Sequence, residues 1–298
     1  MIPPPGPHGG DGARLAAALG VDPAFVLDLS ASLNPVAPDA GEVVAGHLAA
    51  LRRYPDPARS TAALATVMGV DPDRLLLTNG GAEAIALVAA ETGGHVDEPD
   101  FGLYPRSPTG PRWRSNPHNP SGRLAADHER AGVWDEAFYP LATGRWTRHD
   151  AGSLVVGSLT KLLACPGLRV GYVLADAGAV ARLRARQPAW SVNSLAAAAL
   201  PDLLDTVDLP GWAAAVAELR GRLVEVLRAA GLRAEPSDAN FVLVHAPGLR
   251  ARLAPHGVLV RDCGSFGLPD HVRIAVPDST GLARFEEALN LEAPCAVV

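Results

Sequence analysis

The chain has 298 residues, of which 48% are hydrophobic and 19% are charged, a composition that suits one large domain or two medium ones. Its formal net charge is −6, and no block of like charges interrupts the sequence. This charge pattern argues against a nucleic-acid surface and against a basic membrane patch. It favours chemistry on small molecules.

The cysteines and the N-terminal segment bear on the cellular compartment. Cys165, Cys263 and Cys295 are odd in number and lack metal-ligand spacing, which indicates reduced thiols and neither a disulfide framework nor a zinc site. The N-terminal segment has neither a basic region nor an apolar run, so the sequence predicts no signal peptide and no membrane span. We therefore expect a cytoplasmic protein without a metal.

Helical and strand-like segments alternate after an arm, residues 1–12, that is rich in proline and glycine. Apolar residues at helical spacing predict helices over 13–19, 61–68, 84–90, 179–186, 195–204, 212–230 and 280–291. Apolar or alternating runs predict strands over 75–78, 132–139, 232–235, 240–245 and 272–276. The first half has the order expected of a parallel α/β sheet, in which ligands gather at the carboxyl ends of the strands.

Lys161 is the only lysine in the chain, because all the other members of the 26 Lys and Arg residues are arginines. A lysine can lose its proton and attack a carbonyl group as an amine, which a guanidinium cannot do. Ser158, Thr160 and Arg169 surround it with groups that could converge on a phosphate. A leftover surface lysine is the less favoured alternative, and these neighbours favour pyridoxal 5′-phosphate (PLP), an aldehyde that carries a phosphate.

Two other segments supply groups that suit the same cofactor. Gly80, Gly81 and Ala82 lie between a predicted strand and a predicted helix, an arrangement that presents backbone N–H groups to a phosphate. Asp135 lies in the predicted strand 132–139, and a carboxylate that faces the pyridine nitrogen keeps it protonated. A surface Asp-Glu pair is the alternative, which the apolar neighbours on both sides disfavour.

The segment 158–172 resembles the lysine segment of fold-type I PLP enzymes, in the group of histidinol-phosphate aminotransferase and threonine-phosphate decarboxylase. The resemblance covers nearly the whole chain, and its most specific motif is Asn-Pro-His-Asn-Pro-Ser-Gly at 116–122. It implies an α/β fold with a mostly parallel sheet and flanking helices in a PLP-binding large domain, 37–180. The arm, 1–36, would join a small α+β domain, 181–298.

The resemblance also implies roles for single residues at the cofactor. Phe101 would stack on the pyridine ring, and Asn119 would bond its phenolic oxygen. Tyr54 would reach the cofactor phosphate of a second subunit, so that a homodimer is expected. Taken alone, Phe101 could equally be a plug under a loop, and Tyr54 a half-buried aromatic in a turn.

Four residues are the predicted substrate contacts. His8 and Asn34 lie in segments that resemble the opening of the decarboxylase branch, although His8-Gly-Gly-Asp by itself is turn chemistry. Arg261 would approach a substrate phosphate in that branch, or else form a surface ion pair. Arg273 would bind the substrate carboxylate, since its planar fork suits a planar anion.

Three hypotheses for the function follow. The first is a threonine-phosphate decarboxylase-like lyase that acts on a phosphorylated amino acid in cobalamin biosynthesis. Phe138 favours it, because aminotransferases often carry tyrosine there, unless Tyr139 substitutes. The second is an aminotransferase that acts on histidinol phosphate or another amino acid. The third is a non-catalytic PLP-binding partner, suggested by the unusually short connections between Phe101 and Asn119 and between Gly122 and Asp135.

Overall fold

The computed structural model describes residues 2–292, so that Cys295 lies outside the described part of the chain. The helices are α1 (Gly12–Leu19), α2 (Ala40–Ala45), α3 (Ala58–Met68), α4 (Gly80–Thr92), α5 (Tyr139–Thr143), α6 (Leu159–Leu162), α7 (Ala177–Arg186), α8 (Ser194–Leu204), α9 (Leu209–Ala229), α10 (Leu249–Leu253) and α11 (Ser279–Glu292). The strands are β1 (Leu27–Leu29), β2 (Leu75–Thr78), β3 (His95–Val96), β4 (Arg112–Ser115), β5 (Val133–Asp135), β6 (Leu154–Gly157), β7 (Gly171–Leu174), β8 (Phe241–His245), β9 (Val258–Asp262) and β10 (His271–Ala275). None of these helices is long and apolar enough to cross a membrane.

A six-stranded sheet forms the first half of the molecule, in the order β2-β7-β6-β5-β4-β3. β7 runs antiparallel to both of its neighbours, and the pairs β6–β5, β5–β4 and β4–β3 are parallel. The expected mostly parallel α/β sheet is therefore confirmed. Because Asp135 ends β5 and the Lys161 helix follows β6, both side chains belong to the carboxyl ends of neighbouring strands.

A second, four-stranded sheet has the order β1-β9-β10-β8 and joins the N-terminal arm to the last third of the chain. β1 pairs in parallel with β9, and the other pairs are antiparallel. The strand predicted over 232–235 is wrong, since this segment makes a single bridge between Ala234 and Val244. β9 was not predicted, because its sequence ends in Arg261 and Asp262 and was interpreted as a substrate-binding segment.

Helix α9 joins the two main hydrophobic cores. Its first turns place Leu209 and Trp212 in the core of the large sheet, together with α8. Its later turns place Leu223 and Leu227 under the small sheet. The domain boundary at residue 180 stays a prediction. Helix α8, which follows this boundary in the chain, packs in the core of the large sheet.

The short connection between β4 and β5 contains no helix and is held by the side chain of Arg148. Arg148 donates hydrogen bonds from Nη2 to the carbonyl oxygens of Ala126, Asp127 and Glu129, at 3.0, 3.0 and 3.1 Å. Its guanidinium also lies 5.0 Å from the ring centroid of Trp134, which is fully buried. Arg148 thus fixes the loop through its carbonyl oxygens and also packs over Trp134 of β5.

Candidate active site

Residues from both sheets and from the N-terminal arm line a cavity of about 280 Å³. Twelve of the fifteen predicted site residues line it: His8, Gly81, Ala82, Phe101, Asn119, Asp135, Ser158, Thr160, Lys161, Arg169, Arg261 and Arg273. Gly80, Asn34 and Tyr54 lie outside the lining. The tertiary structure therefore brings together segments that lie more than 250 residues apart in the chain, from His8 to Arg273.

Lys161 lies on α6, immediately after β6, and its environment lowers the pKa of its amine. Burial, together with the positive charges of Arg273 and Arg169, lowers the pKa of Lys161 from 10.5 to about 8. A substantial fraction of the amine is therefore neutral near physiological pH. A neutral amine is the form that attacks a carbonyl group.

Asn34 supports the lysine segment from behind and has no contact with the cavity. Its backbone N–H donates to the carbonyl oxygen of Lys161 at 3.0 Å, and its Nδ2 donates to that of Leu162 at 2.9 Å. Its Oδ1 accepts a hydrogen bond from Val36 N at 3.1 Å. The side chain is 4% exposed and its amide is committed to backbone groups, so the predicted substrate contact has no support in its geometry.

One part of the cavity lining combines the N-terminus of α4 with Arg169. Gly81 and Ala82 line the cavity in the first turn of α4, where backbone N–H groups are free of helical partners. Gly80 has φ +76, a left-handed conformation that favours glycine, and a Cβ there would lie 2.5 Å from Nη2 of Arg169 and displace its guanidinium. The Thr160 hydroxyl is engaged elsewhere, since it donates to Val170 O at 3.2 Å.

Asp135 lines the same cavity and is held by two hydrogen bonds. Tyr104 donates from its hydroxyl to Oδ2 at 2.7 Å, and Ala137 N donates to Oδ1 at 2.9 Å. Burial raises the pKa of Asp135 to about 6, and the two hydrogen bonds oppose this rise. The carboxylate is therefore ionised at neutral pH. Tyr104 was not predicted as a site residue, although it lies only three residues after Phe101 in the sequence.

Arg273 is buried beside Asn119 with part of its guanidinium unpartnered. Its Nη1 donates to Asn119 Oδ1 at 2.5 Å, and its Nη2 lies 3.4 Å from Ser30 O. Its Nε is buried without a hydrogen-bond partner among the described residues. Burial lowers the pKa of Arg273 to about 10, which still leaves it charged. A buried N–H group without a partner indicates a ligand that supplies an acceptor.

Arg261 holds the N-terminal arm against the cavity. Its Nη1 donates to Gly6 O at 2.7 Å, and its Nη2 donates to Pro7 O at 2.5 Å and to Ser265 Oγ at 2.7 Å. These contacts place His8 at the cavity, where its ring lies 5.7 Å from that of Phe101. Arg261 thus has a structural role in addition to the predicted substrate contact.

Tyr54 lies on the surface in the single chain. It is 77% exposed and stacks at 4.5 Å on Trp190, which is 62% exposed. Leu51 nearby is 61% exposed. A contact between Tyr54 and a cofactor therefore needs a second subunit, and this role stays a prediction.

The residues that line the cavity fit PLP. A lysine of lowered pKa suits the aldehyde, the α4 N-terminus with Arg169 suits the phosphate, and an ionised Asp135 suits the pyridine nitrogen. Within residues 2–292 no group of three or more His, Cys, Asp or Glu side chains is arranged to hold a metal.

The fold and this cavity define a fold-type I PLP-dependent enzyme. A family model for aminotransferase class I and II matches residues 104–289, and the chain belongs to that family. Histidinol-phosphate aminotransferase 1 of Dechloromonas aromatica is 28% identical over 343 aligned positions, covering 93% of this chain and 92% of that protein. The resemblance to this group, the fold class and the PLP cofactor are thereby confirmed.

Two solved structures share the fold. Histidinol-phosphate aminotransferase from Sinorhizobium meliloti, in complex with PLP, aligns with a TM-score of 0.80 and 17% identity over 94% of this chain and 95% of that one. L-threonine-O-3-phosphate decarboxylase from Porphyromonas gingivalis aligns with a TM-score of 0.74 and 22% identity over 89% and 99%. Because both chemistries occur on this fold, the fold does not choose between them.

Proposed function

We propose that the protein is a PLP-dependent lyase that releases CO2 from a phosphorylated amino acid, with O-phosphothreonine as the first candidate. The observation that carries this proposal is the pair of arginines at the cavity. Arg261 on β9 and Arg273 on β10 are directly opposite each other in the antiparallel register. Like charges in such a pair repel each other, and a ligand with two anionic groups would relieve this repulsion.

The two arginines differ in a way that suits two different anions. Both side chains are buried, but of the two only Arg273 has a buried Nε without a protein partner, which suits a substrate carboxylate. Arg261 is 3% exposed and lies where the arm and His8 meet the cavity, which suits a second anion, the phosphate. O-phosphothreonine carries both anions, whereas histidinol phosphate has no carboxylate.

The remaining cavity residues would hold the cofactor and move the proton. PLP, when bound, supplies an electron sink for the bond that breaks at the substrate Cα. Asp135 would hold a proton on the ring nitrogen, and Lys161 would accept or return a proton at Cα. In decarboxylation the bond from Cα to the carboxylate breaks, CO2 leaves, and a proton replaces it on Cα.

Phe138 supports the lyase over a transaminase. It lines the cavity and packs edge-on against Phe241 at 5.1 Å. As a phenylalanine, it has no hydroxyl to offer the cofactor. Tyr139, the neighbouring residue that does carry a hydroxyl, begins α5 and does not line the cavity. A transaminase acting on histidinol phosphate is the second candidate, because the relative from Dechloromonas aromatica bears that name.

The arginine pair gives a test of the substrate class. Arg273→Ala should reduce kcat/KM for every amino acid substrate by roughly ten- to more than a hundredfold, since it removes a charge-assisted bond worth ~1.5–3 kcal/mol. Arg261→Ala should reduce kcat/KM by a similar factor only for phosphorylated substrates. Initial rates and CO2 release would be measured with O-phosphothreonine, threonine and histidinol phosphate.

A matched control separates substrate binding from docking of the arm. Arg250 also holds the arm, through Pro3 O at 3.0 Å, but it does not line the cavity. Arg250→Ala should therefore leave the ratio of phosphorylated to unphosphorylated turnover unchanged. A requirement for 2-oxoglutarate with no CO2 released would replace the lyase by the transaminase.

We further propose that the enzyme is a homodimer in which Tyr54 completes the neighbouring site. Support comes from the exposed aromatic pair of Tyr54 and Trp190 and from the absence of Tyr54 from the cavity of its own chain. An exposed apolar cluster of this kind is typical of an interaction surface.

Mixing two inactive variants tests the shared site. After subunit exchange between Tyr54→Phe and Lys161→Ala, hybrid dimers should contain one site with both native residues and recover part of the lost activity. Exchange would be verified with differently tagged subunits, and a mixture of Lys161→Ala with itself gives the baseline. Verified exchange without recovery would remove Tyr54 from the partner's site.

A further inference from the structure

Asp100 is a buried carboxylate beside the active site that does not line the cavity. It is 2% exposed and lies on the connection between β3 and β4. Its Oδ1 accepts a hydrogen bond from Ser115 Oγ at 2.6 Å, and its Oδ2 accepts one from Ser115 N at 3.2 Å. A buried carboxylate is costly unless its oxygens are satisfied, and here both are used to grip one residue at the end of β4.

This grip determines the direction of the Ser115 hydroxyl. A serine hydroxyl can donate only one hydrogen bond, and Ser115 donates it to Asp100. The lone pairs of Ser115 Oγ are then free to accept a hydrogen bond from Asn119 N at 2.7 Å. Asn119 in turn receives Arg273 Nη1 on its Oδ1 at 2.5 Å. Asp100 thus begins a relay that ends at Asn119 and Arg273.

The other end of the relay is the loop that carries Phe101 and Tyr104. Asp100 Oδ1 also accepts a hydrogen bond from Phe101 N at 2.8 Å. A second contact joins the same two loops, since His118 Nε2 lies 2.7 Å from Pro99 O. Only residues 105–111 separate Tyr104 from β4, so no helix packs between the loops to fix their spacing.

We propose that Asp100 is a positioning residue that fixes the separation between Phe101 and Asn119, the two proposed contacts to the ring of the cofactor. It touches neither the cofactor nor the substrate and acts through Ser115. The chain between Phe101 and Asn119 is short and contains no helix, so the hydrogen bonds of Asp100 to Ser115, together with the contact between His118 and Pro99, join the two loops. The inference rests on the proposed cofactor roles of Phe101 and Asn119.

Binding of PLP to the cofactor-free protein tests this inference without reference to turnover. Asp100→Ala should weaken PLP binding roughly tenfold or more, because it leaves two buried donors of Ser115 without an acceptor. Asp100→Asn should weaken it less, since its amide oxygen can still accept from the Ser115 hydroxyl. Ser115→Ala should resemble Asp100→Ala, and the double variant should lose little more than either single variant.

Two further measurements report the positions of the loops directly. Hydrogen exchange of the segment that contains Asn119 should accelerate in Asp100→Ala, because Asn119 N loses its oriented acceptor. The visible circular dichroism of bound PLP should also change, since it depends on the groups around the ring. Asp97→Asn is the matched control, because that carboxylate is 70% exposed and pairs with Arg112 on the outer face. It should change none of these quantities.

The outcomes separate this inference from the proposed site. If Asp100→Ala and Ser115→Ala keep native PLP affinity, hydrogen exchange and dichroism while Asn119→Ala weakens PLP binding, the role of Asp100 is overturned and the site stands. If Asn119→Ala leaves PLP affinity unchanged, the proposed cofactor role of Asn119 is wrong, and the inference about Asp100, which rests on that role, is wrong as well. Should Asp100→Ala not fold, Asp100→Asn decides the outcome by the same measurements, because Ser115 itself lines the cavity and Asp100 does not.

Discussion

Lys161→Ala will abolish the PLP linkage that borohydride reduces in the wild-type protein, and the variant will show no turnover above background. Lys161 is the only lysine in the chain, so the variant has no other lysine side chain that could form the linkage. Intact-mass spectrometry and peptide mapping after reduction would measure the adduct. Adduct that persists in the variant at any site except the N-terminal amine would contradict the assignment.

The same lysine predicts a pH dependence of cofactor capture. Burial and two neighbouring arginines favour the neutral amine and lower the pKa of Lys161 to about 8 in the cofactor-free protein. The rate of covalent capture of PLP should therefore rise about tenfold per pH unit below this value and level off above it. Stopped-flow absorbance would follow capture, with Nα-acetyl-lysine as the control amine of ordinary pKa. A rate that keeps rising toward pH 10.5 would mean that the protein does not shift this group.

Replacement of Asp135 by asparagine should reduce kcat by roughly 10²- to 10³-fold, the usual effect of removing one preorganised electrostatic group. Asparagine keeps the size of the side chain and an oxygen for Ala137 N, which donates to Asp135 at 2.9 Å. It removes the negative charge that would hold a proton on the ring nitrogen. Steady-state kinetics with saturating substrate would measure the loss in kcat, and the affinity for PLP would be measured separately.

Glu136 provides the matched control for Asp135. It is the next residue in the chain and is 1% exposed, but it does not line the cavity and instead accepts a hydrogen bond from Arg148 N at 3.1 Å. Glu136→Gln should therefore leave kcat within a small factor of the wild-type value in the folded protein. Equal losses in both variants would mean that Asp135 acts through packing and not through its charge.

Much of the candidate site could be predicted because its chemistry is local in the sequence. The solitary Lys161, the Gly-Gly turn after β2 and the two Asn-Pro dipeptides each need only a few adjacent residues to be recognised. The order of these segments also predicted the sheet, because a parallel α/β sheet brings the carboxyl ends of its strands to one edge. Gly81, Asn119, Asp135 and Lys161 accordingly line one cavity.

The sequence by itself thus determined which residues belong to the candidate site. Only the tertiary structure decided what several of these residues contact. Asn34 was predicted to touch the substrate, but it binds the carbonyl oxygen of Leu162, 128 positions away in the chain. Arg261 reaches Gly6 across 255 positions, and the grip of Asp100 on Ser115 had no local signal. The physical reason is that buried polar groups must find partners wherever packing leaves them, and those partners come from chain segments that only folding brings together.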